Sequence, residues 1–221
     1  MTEAAEGFRQ HRFRVPRGAT TVLLVRHAES APAIPGSPFA LRDGHGDPAL
    51  HPDGHVQADR LAKRLAVEQL DAIYVTSLIR THQTAAPLAA LLHLEPIEEA
   101  DLREVFLGDW EGGLLRERAV AADPIFHEIF VQQRWDVIPN AEPHDDFDLR
   151  TQTGLRRIVA SHPDGRVAVV THGGVISQLL HHATGAARFA FSGADNGSIS
   201  ELCIDGDRQI LRRFNDTSHL T

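Results

Sequence analysis

Short apolar runs alternate with amphipathic segments along most of the chain. The runs TTVLLV, DAIYVTS and RVAVVT are rich in β-branched and aliphatic residues, which is typical of strands buried on both faces. Segments with apolar residues at helical spacing follow them, over 54–70, 78–94, 143–162 and from Gly173 onward. Strands that alternate with helices predict an α/β fold. We expect a three-layer sandwich, with a mostly parallel sheet and helices on both faces.

Local signals place some element boundaries. Ser77 is the expected N-cap of the helix over 78–94, and Pro87 is expected to bend or restart that helix. Asp53 is preferred to His51 as the cap of the preceding helix. The final segments SISELCID and RQILRRF predict two antiparallel strands joined by a turn at Gly206.

The pattern also predicts how the chain is organised. Residues 1–18 are polar and arginine-rich, so we expect a flexible N-terminal arm followed by a single α/β domain over 19–221. The stretch 30–52 contains five prolines and three glycines, which predicts a long loop without regular structure. A helical cap insertion is expected around 112–144.

Composition excludes several function classes. The net charge of −8 argues against nucleic-acid or membrane-surface partners, because both are anionic. Apolar runs stay well short of the roughly 20 residues that a membrane-spanning helix needs, so we expect a cytoplasmic protein. Cys203 is the sole cysteine, which excludes an intramolecular disulfide or a cysteine zinc cluster. The fourteen histidines show no HExxH spacing, so neither metal nor cofactor is expected.

Polar residues follow three of the predicted strands directly. Arg26 and His27 follow the first strand, Arg80 lies in the helix after the second, and His172 with Gly173 follows RVAVVT. Since the carboxyl ends of parallel strands share one edge, we expect these groups to converge there. Guanidinium and imidazole groups beside a helix N-terminus form a cationic pocket. The pocket favours a phosphoryl group, carried by a small phosphorylated substrate.

At these residues the chain resembles the histidine phosphatase superfamily, the phosphoglycerate mutase-like group. Four segments carry most of the resemblance: LVRHAES, TSLIRTHQTA, LREVFLGDWEG and VVTHGGVI. PALHPDGHVQA and DNGSISEL are also similar to family motifs. The similarity runs in order from about residue 20 to residue 203.

The resemblance implies a role for each matching residue. His27 would be the nucleophile that becomes phosphohistidine, and Glu104 would protonate the departing alkoxide. Arg26, Arg80 and His172 would hold the phosphoryl oxygens. We therefore expect a metal-independent phosphatase that hydrolyses a phosphomonoester.

Departures from the family pattern leave the substrate and the reaction outcome open. Ala28 stands where the family usually has glycine, and Ala33 where mutase-like members often have asparagine. Ser30 remains able to offer a hydroxyl to the substrate. Two other functions stay open, a phosphoglycerate mutase using the same pocket and an inactive phospho-ligand binding protein. A metal-dependent hydrolase is disfavoured because no carboxylate cluster has suitable spacing. The oligomeric state is not predicted.

Overall fold

The computed structural model describes residue 8 and residues 10–221. The predicted N-terminal arm therefore lies partly outside the described residues, since positions 1–7 and 9 are not among them. Residues 10–18 contain neither helix nor strand. None of the helices in the described part of the chain is long and apolar enough to cross a membrane.

A six-stranded, mostly parallel sheet forms the centre of the fold, in the order β5-β4-β6-β1-β7-β8. Its strands are β1 (Thr20–Arg26), β4 (Ala72–Val75), β5 (Ile97–Glu98), β6 (Arg166–Thr171), β7 (Ile199–Asp205) and β8 (Arg208–Asp216). β1 and β4 pair in parallel with β6, and β5 pairs in parallel with β4. The predicted hairpin of β7 and β8 is confirmed and adds two antiparallel strands beside β1. The α/β class is thus confirmed.

Helices cover both faces of this sheet. The helices are α1 (Pro52–Leu65), α2 (Ile79–Leu92), α3 (Leu114–Val120), α4 (Pro124–Gln132), α5 (His144–Ser161) and α6 (Gly173–Thr184). Alternate side chains of β1 point to opposite faces, as the two-residue period of a strand requires. Leu23 and Val25 pack with residues of α1 and α2, whereas Val22 and Leu24 pack with residues of α5 and α6.

Two segments lie over the carboxyl ends of the parallel strands. The stretch 30–52 is largely irregular, as predicted, apart from the two-residue strands β2 (Leu41–Arg42) and β3 (His45–Gly46). Residues 112–144 contain α3 and α4, and part of this segment packs in a separate apolar cluster around Trp110, Ile129 and Ile138.

The boundary of α1 differs from the sequence prediction. His51 is the N-cap of α1, because its Nδ1 accepts the backbone N–H of Asp53 at 3.3 Å. The prediction that Asp53 caps this helix is wrong, since Asp53 lies inside the first turn. An imidazole nitrogen accepts this bond just as a carboxylate would.

The start and the middle of α2 also differ from expectation. Leu78, not Ser77, is the N-cap, and the N–H of Ile79 donates to Asp47 Oδ1 at 2.8 Å. Asp47, in the irregular stretch 30–52 before α1, thus supplies the capping oxygen. α2 continues through Pro87, so the predicted restart there is wrong; the apolar side that α2 buries outweighs the lost hydrogen bond.

Candidate active site

Arg26 and His27 at the carboxyl end of β1, and Arg80 in the helix that follows β4, line one cavity of about 810 Å³. Five of the predicted site residues line it: Arg26, His27, Ser30, Arg80 and Glu104. Two predicted residues, His172 and Gly173, are not among the lining residues and lie directly behind them. Parallel pairing of β1 and β4 with the intervening β6 places the three strand ends next to one another.

His27 is held with one ring nitrogen free. Its Nδ1 lies 2.8 Å from the carbonyl oxygen of Ala28, and a carbonyl only accepts, so Nδ1 carries the proton. Nε2 therefore keeps its lone pair in the neutral ring. Burial first, and then the positive charges of Arg80 and Arg26, hold the pKa of His27 well below its usual range. The imidazole is therefore neutral at ordinary pH.

Arg80 is fixed at the start of α2. Its Nη1 donates to the carbonyl oxygen of Gly46 at 3.0 Å and lies 3.7 Å from Asp47 Oδ1. The same Asp47 oxygen caps α2, so one carboxylate positions both the helix and its guanidinium group. Burial lowers the pKa of Arg80, an effect that Glu104 and Asp47 oppose. The remaining N–H groups of Arg80 stay available to an anion.

Arg26 is fixed at the carboxyl end of β1. Its Nη1 donates to the carbonyl oxygen of Ala194, and its Nε is buried without a hydrogen-bond partner in the described structure. Burial lowers its pKa, whereas Glu104 and Asp195 raise it. A buried donor without a partner is costly, so Arg26 is prepared for an anionic ligand.

His172 stands behind His27. It is fully buried, and the centroids of the two rings are 5.2 Å apart. Its Nε2 lies 3.0 Å from Thr76 Oγ1, and Thr81 Oγ1 lies 3.2 Å from the same hydroxyl. Its Nδ1 is buried and has no hydrogen-bond partner among the described residues. Burial, and then the positive charge of Arg80, hold its pKa well below the usual range.

Glu104 approaches the same place from the segment after β5. Its Oε2 accepts the N–H of Gly174 at 3.2 Å, and its Oε1 accepts the N–H of Val105 at 3.0 Å. The second bond fixes the carboxylate to its own backbone, and the first fixes it to the N-terminus of α6.

Gly173 and Ser30 each contact another residue of the protein, which their motifs do not indicate. A Cβ at Gly173 would lie 3.5 Å from Arg26 Nε, so this glycine packs against the arginine side chain. Ser30 Oγ accepts an N–H of Arg116 at 2.8 Å, which leaves its own hydroxyl proton free to donate. A substrate contact from either residue stays a prediction.

The structure adds residues that the motifs did not single out. Asn196 lines the cavity, and its Nδ2 donates to the carbonyl oxygen of His27 at 2.9 Å. Arg116 of α3 also lines it and bridges Ser30 to the carbonyl oxygen of Ala31 at 2.8 Å. Asn196 lies inside the quoted segment DNGSISEL, so that motif could have indicated it. The position of Arg116 depends on how α3 packs, which no local pattern reveals.

A group of possible metal ligands lies beside α1. One ligand atom each from Glu29, His51 and Asp53 lies within 4.8 Å of the others. No spacing in the sequence predicts this arrangement. His51 already uses Nδ1 to cap α1, and both carboxylates are exposed. Exposed acidic groups commonly meet in this way without a metal.

Comparison with known proteins bears directly on this geometry. The family model of the histidine phosphatase superfamily, branch 1, matches residues 22–217. The chain belongs to this superfamily. The family prediction, and with it the prediction of a phosphatase-type enzyme, is confirmed. The superfamily as a whole works through a phosphohistidine, which agrees with a neutral His27 at the cavity.

Individual relatives extend over most of the chain. Phosphoglycerate mutase-like protein 4 of Arabidopsis thaliana is 35% identical over 90% of this chain and 86% of its own. Phosphoserine phosphatase 1 of Hydrogenobacter thermophilus is 30% identical, over 90% of this chain and 93% of its own. The solved structure of Bacillus stearothermophilus YhfR has a TM-score of 0.79 at 28% identity, covering 91% of this chain and 100% of YhfR.

Proposed function

We propose that this cavity hydrolyses small phosphomonoesters, with His27 as the nucleophile. One observation carries the proposal. The Ala28 carbonyl holds the proton of His27 on Nδ1, which leaves a lone pair on Nε2 of the neutral ring. Arg26 and Arg80 line the same cavity as His27. A neutral nucleophile between two cations suits attack on an anionic phosphoryl group.

In the first step, His27 Nε2 bonds to phosphorus and the ester P–O bond breaks. The guanidinium groups of Arg26 and Arg80 hold the phosphoryl oxygens as charge develops on them. His172 also holds a phosphoryl oxygen, through its Nδ1, which has no hydrogen-bond partner in the described structure. Glu104 gives its proton to the departing oxygen, so the leaving group departs as a neutral alcohol.

In the second step, water attacks the phosphorus of phosphohistidine. Glu104, now ionised, takes a proton from the water as the new P–O bond forms. The P–N bond breaks and its electron pair returns to Nε2 of His27. Inorganic phosphate leaves, and both residues regain their starting protonation. Over the whole cycle Glu104 carries one proton from water to the leaving group, and Arg26 and Arg80 supply the positive charge.

The proposal also includes the domain organisation of the protein and its partners. Residues 19–221 act as one domain, and 112–144 serve as a cap, because Leu115, Arg116 and Glu117 of α3 line the cavity beside the phosphoryl-binding groups. The named phosphoserine phosphatase makes phosphoserine one substrate to assay. The cytoplasmic location and the lack of nucleic-acid or membrane partners stay predictions.

A rapid-quench labelling experiment tests the nucleophile. The protein is mixed briefly with a ³²P-labelled phosphomonoester, quenched in alkali, which preserves phosphohistidine, and digested for peptide mapping. Label on the peptide containing His27, absent in His27→Ala and present in His182→Ala, supports the proposal. His182 is an exposed imidazole of α6 and serves as the matched control. Label on Ser30 would overturn the assignment, and binding of the ester without any label would favour the phospho-ligand binding protein.

A further inference from the structure

His45 adds a second imidazole to the lining of the cavity, and no motif assigns it a role. It lies on β3, within the proline-rich stretch 30–52, yet it is only 8% exposed. It lines the same cavity as Arg80 and Glu104. A buried polar side chain in the irregular stretch beside the reacting groups calls for a partner.

The partner of one ring nitrogen of His45 is known and that of the other is not. Nδ1 lies 3.1 Å from the carbonyl oxygen of Asp43, which only accepts, so Nδ1 carries the proton of the neutral ring. Nε2 then bears a lone pair. It is buried and has no hydrogen-bond partner among the residues that the structure describes. Such an unmatched buried acceptor destabilises the protein unless a ligand satisfies it.

The ring is also held in a fixed position. Its centroid lies 5.4 Å from that of Phe106, in an edge-to-face contact. The next residue, Gly46, accepts from Arg80 Nη1 at 3.0 Å and donates its N–H to Glu111 Oε2 at 2.6 Å. β3 is thus attached both to the phosphoryl-binding arginine and to the segment that follows Glu104. The orientation of the imidazole therefore does not depend on a bound substrate.

We propose that His45 determines specificity for the leaving group, because its Nε2 accepts a hydrogen bond from a hydroxyl or ammonium donor there. The inference rests on the proposed function, in which the leaving group occupies this cavity. A lone pair repels the anionic phosphoryl oxygens, which Arg26 and Arg80 instead attract with N–H donors. The acceptor of His45 thus suits the alcohol side of the ester, and the preferred substrates are phosphate esters of polyols or amino alcohols.

A matched pair of esters tests this role. Glycerol 1-phosphate and propyl phosphate share a three-carbon chain and differ in two hydroxyl groups. The wild-type protein should have the higher kcat/KM for glycerol 1-phosphate. His45→Phe keeps a ring beside Phe106 but lacks the acceptor, and should lower this value about tenfold while changing propyl phosphate less than twofold. His45→Gln, which retains an acceptor oxygen, should recover part of the preference.

The contrary results are equally defined. Equal losses on the two esters, or no loss on either, would overturn the role of His45 in recognising the leaving group. If His45→Phe does not fold, His45→Asn replaces it, because the shorter amide does not reach the position of Nε2. The ratio of the two kcat/KM values should then fall as expected for His45→Phe. Replacing the exposed His182 by Phe should leave the ratio unchanged. Failure of the labelling experiment on His27 would instead contradict the proposed function itself.

Discussion

The backbone N–H of Gly174 donates to Glu104 Oε2 at 3.2 Å, joining the N-terminus of α6 to the proposed proton donor. A Cβ at position 174 would lie 2.4 Å from Glu104 Oε1. That distance is far inside van der Waals contact, so the glycine is needed for the carboxylate to lie where it does. The neighbouring Gly173 has no such constraint, since its Cβ would meet Arg26 Nε at 3.5 Å.

Gly174→Ala should therefore displace Glu104 and slow alkyl phosphate hydrolysis by about tenfold or more, because proton donation by a positioned group contributes roughly 10²–10⁴-fold. The thermal midpoint should change little, because the clash is with the end of a flexible side chain and alanine favours a helix. Steady-state kinetics and thermal unfolding on Gly174→Ala and its control Gly173→Ala check this. Equal activity in the two variants would contradict it.

Glu104→Gln should separate substrates by their leaving groups. The amide has no proton to give, so hydrolysis of an alkyl phosphate should fall about 10²-fold or more. Hydrolysis of para-nitrophenyl phosphate should fall much less, because nitrophenolate leaves without protonation. The measurement is kcat/KM for both esters in both proteins. Equal losses on the two esters would make Glu104 a residue that only positions the substrate.

The hydroxyl of Thr76 should position His172. Thr76 Oγ1 lies 3.0 Å from His172 Nε2, so Thr76→Val removes the hydrogen-bond partner of a fully buried ring. We expect kcat/KM to fall about tenfold, the worth of one such bond, and Thr76→Ser to restore it. The control Thr153→Val removes a helical hydroxyl of α5 outside the cavity. A Thr76→Ser protein as impaired as Thr76→Val would show that the methyl group, not the hydroxyl, matters.

The stability of the protein should decrease on mild acidification. The pKa values of His27 and His172 lie well below the 6.5 of an unfolded chain, so below pH 6.5 the unfolded state binds more protons. The free energy of unfolding should therefore fall as pH drops below 6.5, by up to about 1.4 kcal/mol per pH unit for each histidine. This loss continues until the pH reaches the folded-state pKa values.

Denaturant unfolding at pH 7.5, 6.5 and 5.5 measures that slope. His172→Asn should show a shallower dependence between pH 6.5 and 5.5, by about 1 kcal/mol over that interval, whatever its absolute stability. The exposed His182→Asn provides the control. A slope in His172→Asn as steep as in the wild-type protein would mean that the buried imidazole is not the group responsible.

Residues that follow strands directly could be predicted from the sequence. Arg26, His27 and Arg80 occupy short motifs after apolar runs, and topology alone brings strand ends together. Asp47 and His45 could not be found in this way. Their positions depend on contacts such as that between Gly46 and Glu111, which are 65 residues apart. Hydrophobic periodicity indicates which face of a helix or strand is buried. It gives no information on where an irregular stretch packs against the rest of the protein.

The same reason explains why the hydrogen-bond partners of the predicted site residues could not be predicted. His172 was identified from its motif, but its bond to Thr76 spans 96 residues. Ser77 satisfied every local rule for an N-cap, yet a distant carboxylate of Asp47 caps α2 in its place. Local capping rules consider only groups that are close in sequence. In the folded chain, a group distant in sequence can accept the same hydrogen bond instead.

Phosphatase and mutase activity should be distinguishable with 3-phosphoglycerate. A mutase must keep water out and hold a carboxylate while phosphohistidine persists. Arg134 forms two bonds with Asp136, at 2.8 and 2.6 Å, and Arg116 is bonded to Ser30 and Ala31. Arg134 is not among the described residues that line the cavity, and two N–H groups of Arg116 already donate to Ser30 and Ala31, so no pair of free guanidinium groups faces a substrate carboxylate in this part of the chain.

Carboxylates on the cavity wall act in the same direction. Glu29, Glu111 and Glu117 line it and would repel a second anionic group, whereas water needs no clamp. We expect 3-phosphoglycerate to give slow phosphate release and no appreciable 2-phosphoglycerate, as followed by ³¹P NMR. Isomer interconversion faster than phosphate release would favour the mutase. In that case Arg116 would have to leave Ser30 and bind the carboxylate, and Arg116→Gln would abolish interconversion while sparing para-nitrophenyl phosphate hydrolysis.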